Sequence, residues 1–429
     1  MLTVDKICRV PRNTFSRLFL IPRINLEKVF LISKSDLVRW IYFSTMIFVV
    51  IASLNPWFFW GIYNVYTLLA SVPIIACILL SRTVERPLFT RNDYLVPICL
   101  YLLMMFTITF LNGRNINGYI LQMINATIFL SLFMLNVSDL VRLGTILSKF
   151  LACLLVVSLT AYFLVKFGFS LPHREAVNVE FNYSYTNYFF FLLDHREEFS
   201  ILPRFCSVFL EPAHIGMTCI CLLYCQIGQW HKWYNIVHFI TIILTLSLAA
   251  WVFLVILLFS ASWMKGRNII GKVILLISLC AVVATISLYY NRGQNVINEL
   301  IVQRLMINED GELEGDNRAT ETFQREYKKL ASSSEILTGR GYEGMAKFST
   351  EGGNAGYRVY IYSNGLIGVM LLTFFLCTLA YTGTGGWRNK VVMLTAHFIS
   401  FIPAATPLKF AMFIPWYILL FIKVKPTNK

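Results

Sequence analysis

The segment RFCSVFLEPAHIG, residues 204–216, brings together groups that could do chemistry. Pro212 suits the first turn of a helix, because its missing N–H is not needed there, so we expect Glu211 at or next to the N-cap. The helix dipole then favours the ionised carboxylate. With Arg204 seven residues upstream and His214 three downstream, this carboxylate could orient or deprotonate a hydroxyl group. A capped helix entrance with an interfacial ion pair explains the same residues.

The stretch NRATETFQREYKKL, residues 317–330, is a second candidate. We expect a helix capped by Asp316 or Asn317, with an apolar face opposite a cationic stripe. The stripe consists of Arg318, Thr322, Arg325 and Lys329. Such a stripe suits anionic lipid groups, and the guanidinium fork of Arg binds phosphate oxygens bidentately. The alternative is an ordinary amphipathic helix with a solvated basic face.

A third candidate joins GRGY, residues 339–342, to GYRVYIYSNGLIG, residues 356–368. Arg358 and Tyr360 stand where an apolar run enters the membrane, so snorkelling to the headgroups is the simple explanation. The glycines fit no nucleotide-binding loop, since no strand is expected before them. Neither EF-hand spacing nor a Cys/His pattern occurs, so the sequence predicts no metal site and no cofactor.

The elements that must position these residues follow from composition. Of the 429 residues, 57% are apolar and 14% are charged, whereas a soluble domain carries about 25% charged residues. Uncharged runs long enough to span a membrane recur along the chain. The sequence therefore predicts an all-α integral membrane protein. The predicted spans are 40–55, 65–81, 94–111, 119–136, 145–167, 213–227, 235–246, 248–264, 269–289, 357–381, 391–404 and 410–422.

The count of twelve transmembrane helices depends on the stretch Asn235–Trp263. As one helix it would be about 43 Å long, against a hydrocarbon core of about 30 Å. A break near Ser247 gives two short spans instead and keeps Lys265, Arg267 and Lys272 on the cytoplasmic side. Charge and length therefore agree on the break.

Charge also orients the chain. Cytoplasmic segments would hold about 21 Lys and Arg, and the short outer loops only Arg114 and Lys409. This asymmetry is the positive-inside pattern of a membrane protein rather than the basic stripe of a nucleic-acid-binding face. The predicted organisation is a basic cytoplasmic segment 1–39, helices 1–5 in 40–167, an outer loop 168–212, helices 6–9 in 213–289, an outer loop 290–356, helices 10–12 in 357–422, and a cytoplasmic tail 423–429.

Taken in order, these segments resemble the O-antigen polymerase and ligase superfamily. Its members have some ten to fourteen spans and a segment of the type R-x-x-S-x-F-x-E-P before a mid-chain span. A large outer loop with an Arg-containing helix follows, then a G-x-G turn and a G-x-x-G at the next span. The matching residues here are Arg204, Ser207, Phe209, Glu211, Pro212, Arg318, Gly339, Gly341, Gly365 and Gly368. The resemblance covers roughly residues 200–370. The chain lacks the Arg after Ser247 and the His-Asn pair that ligases carry before the tenth span.

The resemblance implies metal-independent glycosyl transfer at the outer leaflet of a bacterial inner membrane. The donor would be a glycan on undecaprenyl diphosphate, and the acceptor a hydroxyl on a second lipid-linked repeat unit. Cations would stabilise the departing diphosphate, and another group would position or deprotonate the acceptor. We assign the first role to Arg318, with Arg325, Arg340, Arg358 and Tyr360 in substrate binding. Arg204 and Glu211 take the second role, with His214 as an alternative base.

Two other functions stay open at this stage. One is an O-antigen ligase, which would move a finished glycan from the lipid carrier to a lipid core. The other, from a different class, is a glycolipid flippase, although transporters usually carry ionisable residues near the bilayer midplane. Besides membrane lipids and lipid-linked glycans, a chain-length regulator and a flippase are the candidate partners of a polymerase. Nucleic acid is not expected as a partner.

Overall fold

The computed structural model describes residues 33–111, 116–178, 183–197, 203–264, 320–348, 356–402 and 408–423, with scattered positions between 270 and 298. Most of these residues are helical, and four helices are long and apolar enough to cross a membrane: Lys34–Ser53, Asn117–Met134, Val137–Lys166 and Tyr357–Thr382. Further apolar helices are 10–17 residues long. The chain is a mostly helical membrane protein.

The helices follow the predicted spans closely. Before residue 168 they are α1 (Lys34–Ser53), α2 (Tyr66–Ser81), α3 (Leu95–Leu111), α4 (Ile116–Met134) and α5 (Val137–Lys166). After residue 211 come α6 (Pro212–Cys225), α7 (Trp233–Leu244), α8 (Leu248–Met264), α9 (Glu321–Ala331), α10 (Gly341–Ala346), α11 (Tyr357–Thr382), α12 (Trp387–Phe401) and α13 (Phe410–Leu419). A 3₁₀ helix, Trp57–Val65, precedes α2. The predicted span 269–289 and the basic segment before residue 33 lie largely outside the described residues.

The predicted break near Ser247 is confirmed. Helix α7 ends at Leu244 and α8 begins at Leu248, and Leu246 between them has a φ of 46°, which a continuing helix cannot accommodate. Gly216 of α6 packs against this turn. A Cβ at Gly216 would lie 2.9 Å from that of Ala250 and 3.1 Å from the hydroxyl oxygen of Thr245. The small residue therefore lets α6 approach the break closely.

Contacts between helix termini define two ends of the bundle. At one end an ion pair of 3.3 Å between Arg39 and Asp139 joins the starts of α1 and α5. At the other, the hydroxyl of Tyr162 near the end of α5 donates to the carbonyl of Pro203 at 2.8 Å. We call the second the loop end. The start of α13 also lies there, since the N–H of Ala411 donates to the hydroxyl of Ser53 at the end of α1.

The segment 168–212, which the sequence predicts as an outer loop, contains a small antiparallel sheet, so the all-α prediction was incomplete. Its strands β1 (Arg174–Asn178), β2 (Tyr183–Asn187) and β3 (Leu192–Asp194) pair in chain order. The central strand has the sequence YSYTN, whose Tyr and Thr residues favour strands. At three to five residues each, these strands are too short to give a clear alternating pattern.

The described part of segment 290–356, which the sequence predicts as a second outer loop, folds against the start of α11. Phe323 and Leu330 of α9 are fully buried in a cluster with Phe348 and Tyr362, which confirms the predicted apolar face. The predicted cap was wrong, because α9 begins at Glu321 and its N-cap is Thr320, whose hydroxyl accepts from the N–H of Phe323. Thr320 caps the helix because its hydroxyl satisfies a backbone donor of the first turn.

Candidate functional site

The segment before α6, residues 203–211, is hydrogen-bonded both to the sheet and to the end of α7. The N–H of Phe205 donates to the carbonyl of Leu244 at 2.9 Å, and the carbonyl of Ser207 accepts from the N–H of Leu192 at 2.8 Å. The Tyr185 hydroxyl donates to the carbonyl of Leu210 at 2.6 Å. Ser207 has a φ of 56°, which turns the chain here. These bonds fix the backbone that carries Arg204 and Glu211.

Glu211 is the N-cap of α6 and Pro212 is its first residue, as the sequence predicted. The Glu211 side chain makes no capping hydrogen bond with the helix and is about one-third exposed, as is that of His214. Nε2 of His214 lies 3.9 Å from a carboxylate oxygen of Glu211. Nδ1 of His214 is buried without a hydrogen-bond partner among the described residues. The two side chains form an adjacent acid–base pair at the helix N-terminus.

Lys409 supplies a cation at this pair. It is the N-cap of α13, whose Pro415 carbonyl accepts a hydrogen bond from the thiol of Cys225 at the end of α6. The Lys409 ammonium interacts electrostatically with both Glu211 and His214. Burial lowers the pKa of Lys409 to about 8, against the opposing effect of the Glu211 carboxylate. Removal from water disfavours the charged amine, so this lysine loses its proton at a lower pH than a solvent-exposed lysine does.

A charged cluster on the sheet lies beside the pair. Arg196 donates from Nε to both carboxylate oxygens of Asp194, at 2.9 and 3.1 Å. Burial would raise the pKa of Asp194, but the hydrogen bonds and charge of Arg196, together with the charge of Arg204, lower it below its ordinary value. Tyr183 interacts electrostatically with Glu211. Arg204 thus interacts with Asp194 of the sheet, and Glu211 interacts with Tyr183 of the same sheet.

The GRG turn, residues 339–341, packs in backbone contact with α11. Gly339 and Gly365 have φ of 76° and 64°, a region that favours glycine. A Cβ on Gly339 would lie 2.7 Å from the backbone nitrogen of Gly365, and one on Gly365 would collide with the carbonyl of Leu337. The N–H of Arg340 donates to the carbonyl of Tyr362 at 2.7 Å. The glycines thus allow two backbones to cross in contact.

Arg340 is held in ion pairs within the outer segment. Its guanidinium donates to Glu326 and to Glu335, at 2.8 Å each, and lies 5.7 Å from the centre of the Tyr362 ring. Its hydrogen bonds to Tyr362, Glu335 and Glu326 raise its pKa above the ordinary value, against the effect of burial. This arrangement fixes α9 to the GRG turn. A substrate phosphate at Arg340, as the sequence predicts, would have to compete with the carboxylates of Glu326 and Glu335.

The remaining candidates are spread over this region. Arg325 is exposed on α9 and Tyr360 is buried. The Tyr360 hydroxyl donates to the carbonyl of Gly368 at 3.3 Å. Arg358 lies 5.9 Å from the centre of the Tyr357 ring and interacts electrostatically with Tyr327 of α9. Arg318 lies outside the described residues. Tyr360 therefore packs within the bundle, whereas Arg325 can reach a ligand.

The arrangement can position a hydroxyl group against a carboxylate while cations face an anionic leaving group. Glu211 and His214 offer a proton acceptor, the Lys409 ammonium acts on both of them, and Arg204 acts on Asp194 of the neighbouring sheet. Lys409 was not among the predicted site residues. Its signal in the sequence is a lone lysine in a short outer loop at the start of an apolar helix, and nothing local links it to a carboxylate 198 positions earlier.

Comparison of the chain with known protein families, with curated proteins and with solved structures found no match. The geometry of the site and the residues themselves therefore carry the functional argument.

Proposed function

We propose that this protein is a polymerase that joins oligosaccharide repeat units carried on undecaprenyl diphosphate, by metal-independent glycosyl transfer at the outer face of a bacterial inner membrane. The observation that carries the proposal is the group formed by Glu211, His214 and Lys409 at the N-terminus of α6. It combines a solvent-accessible carboxylate with a half-buried cation at one end of an apolar helix bundle. Reactions between a lipid-linked donor and a sugar hydroxyl need both groups at such a boundary.

In the proposed reaction Glu211 accepts a hydrogen bond from the acceptor hydroxyl. The acceptor oxygen forms a new bond to the anomeric carbon of the donor as the bond from that carbon to the diphosphate oxygen breaks. The hydroxyl proton passes to Glu211 or to His214, which lies 3.9 Å away. A positioned base of this kind contributes about 10²–10⁴-fold to a rate.

Positive charge is needed where the diphosphate departs, because preorganised cations stabilise the charge that develops there. We assign this role to Lys409, which acts on Glu211, with Arg204 and the predicted Arg318 as further cations. Arg325 adds a guanidinium on the exposed face of α9. Because Arg340 is paired with Glu326 and Glu335, we give it a supporting role, in which it holds α9 in place.

The proposal includes twelve spans, cytoplasmic termini and two outer loops. The loop end supports this layout, because the sheet, the start of α6 and the start of α13 all lie there. Arg388 at the start of α12 donates to the carbonyl of Trp263 near the end of α8, as expected if both lie on the opposite side. In a cysteine-free variant, cysteines at Ser184 and Gly315 should react with an impermeant thiol reagent from outside, whereas one at Gly266 should not. Labelling at Gly266 but not at Gly315 would refute this layout.

The direct test uses the purified protein in lipid nanodiscs with lipid-linked repeat units as the only substrate. We expect a ladder of products that grow by one repeat unit, with undecaprenyl diphosphate released in equal amount. The ladder should persist in the presence of a metal chelator. Products limited to one transfer onto an added lipid core would refute the polymerase assignment, as would activity that a chelator abolishes.

A further inference from the structure

Helix α7 has a polar inner face and an apolar outer face. Asn235, His238 and Thr241 recur at every third position, and each is fully buried. The outward-facing residues are large and apolar, and 41–49% of each is exposed: Trp233, Ile236, Ile240 and Ile243. A surface helix of a soluble protein shows the opposite pattern. Within a membrane, polar side chains face the bundle interior or a water-containing cavity.

The polar face of α7 packs against α5 and the end of α6. Nε2 of His238 lies 3.1 Å from the carbonyl oxygen of Ser148 on α5. The side-chain amide of Gln226, which follows α6, donates to the hydroxyl of Thr145 on α5 at 3.5 Å. Five buried residues thus form a polar seam between these helices: Ser148, Gln226, Asn235, His238 and Thr241.

Each residue of the polar seam has a buried atom without a hydrogen-bond partner in the part of the chain that the structure describes. These atoms are Oγ of Ser148, Oε1 of Gln226, Oδ1 of Asn235, Nδ1 of His238 and Oγ1 of Thr241. A helical threonine can satisfy its hydroxyl within its own helix, as Thr160 does by donating to the carbonyl of Val156, but Thr241 does not. Buried polar atoms are destabilising when unpaired, so five in one seam indicate a ligand that forms hydrogen bonds.

The chemistry of the unpaired atoms limits what this ligand can be. Nε2 of His238 faces a carbonyl oxygen, which can only accept, so in the neutral ring the proton lies on Nε2 and Nδ1 is an acceptor. The amide oxygens of Gln226 and Asn235 are acceptors as well, and the two hydroxyls can donate or accept. The ligand must therefore supply hydrogen-bond donors, which excludes an anion such as phosphate.

Water meets this requirement. Buried water molecules typically make about three hydrogen bonds to polar groups that are otherwise unpaired. From Asn235 to Thr241 the polar face is about 9 Å long, at about 1.5 Å per residue, which suits a file of about three molecules spaced about 2.8 Å apart. A monovalent cation is the competing ligand. No residue of the polar seam carries a carboxylate, however, so the charge of a cation would be buried without a counter-charge.

We propose that the polar seam binds a file of internal water molecules, hydrogen-bonded to Nδ1 of His238 and to the hydroxyls of Ser148 and Thr241. The proposal goes beyond the glycosyl transfer and does not depend on it. The file brings water into the interior of the helix bundle. It lies along the helix that supports the candidate site, because the carbonyl of Leu244 at the end of α7 accepts from the N–H of Phe205, the residue after Arg204.

The direct test is solid-state NMR of the full chain in phosphatidylcholine bilayers. Labelling of valine carbonyls with ¹³C and of histidine with ¹⁵N selects His238 without any substitution, since Val237–His238 is the only Val–His pair in the sequence. We expect magnetisation from water to reach the ring nitrogens of His238, as it reaches those of the exposed His231. A His238 ring that receives no magnetisation from water would overturn the proposal.

Thr241→Val gives an independent test, because valine keeps the shape of threonine but lacks the hydroxyl. If the hydroxyl binds water, its loss should lower the Tm of the protein by a few degrees. If the hydroxyl is dry and unpaired, its removal should raise the Tm instead, and this result would refute the water file. Thr160→Val is the matched control on α5, since its hydroxyl is exposed and bonded to its own helix, and it should change the Tm little.

Replacement of the salt separates water from a monovalent cation. The Tm of the wild-type protein should be the same in sodium, potassium and N-methylglucamine chloride at equal concentration. A Tm that is higher in sodium or potassium chloride, together with loss of this difference in Thr241→Val, would show that the polar seam binds a cation and would contradict the proposal.

Discussion

Nε2 of His214 lies 3.9 Å from a carboxylate oxygen of Glu211, one turn further along α6. The pair lies at the loop end, where α6 begins directly after the segment that carries Arg204. Both side chains are about one-third exposed, but Nδ1 of His214 is buried without a hydrogen-bond partner among the described residues. This difference suits Glu211 to meet an acceptor and His214 to support it.

Glu211→Gln should lower kcat by about 10²–10⁴-fold, because the amide keeps the shape of the side chain but loses its charge and basicity. His173→Ala and His195→Ala are the matched controls in the first outer loop and should keep activity. His195 pairs with Glu175 on the sheet, and His173 contacts the carbonyl of Leu171. Steady-state kinetics with lipid-linked repeats provide the measurement. A Glu211→Gln enzyme with normal kcat would remove this residue from the mechanism.

The pH dependence should report on Lys409. Its pKa of about 8 means that the ammonium is present below that pH and lost as the pH rises through it. If this cation stabilises the departing diphosphate, kcat should fall about tenfold per unit above pH 8. Lys409→Arg should move this decline beyond the measured range, since Arg stays charged. A decline unchanged in Lys409→Arg would show that another group titrates.

Arg204 and Arg318 should not tolerate replacement by lysine. A point charge cannot reproduce the bidentate fork that binds diphosphate or fixes the acceptor, so Arg→Lys should fail nearly as badly as Arg→Ala at both positions. Lys347→Ala, at an exposed residue of the second outer loop, is the control and should behave like wild type. Glycan polymerisation in cells with matched protein levels is the readout. Glycan chains of near-normal length with Arg318→Ala would refute the assignment of Arg318 to diphosphate binding.

The candidate site was predictable where its signals are local. Pro212 indicated that Glu211 caps a helix, and the length of 235–263 indicated the break between α7 and α8. The sheet was not predicted because its strands are very short. The position of Lys409 beside Glu211 was not predicted either, because α6 and α13 meet only through tertiary packing. Arg340 illustrates the same limit. The sequence assigned it to substrate binding, yet Glu326 and Glu335 bind its guanidinium.

Arg340→Ala should loosen the outer segment rather than remove a substrate contact. Its ion pairs are partly exposed and contribute little to global stability, but their loss should increase hydrogen exchange in α9 and at the GRG turn. Lys329→Ala removes another partner of Glu326, but at an exposed side chain, so exchange should change little. Normal exchange together with a raised KM in Arg340→Ala would instead favour direct binding of substrate.

The glycans that accumulate in cells from which this protein has been removed distinguish a polymerase from a ligase and from a flippase. We expect single repeat units on their normal carrier or core, because supply of repeats continues while their joining stops. Wild-type protein should restore the long chains, and Glu211→Gln should not. Full-length chains stranded on the lipid carrier would contradict the account and identify a ligase, and repeats trapped on the cytoplasmic face would identify a flippase.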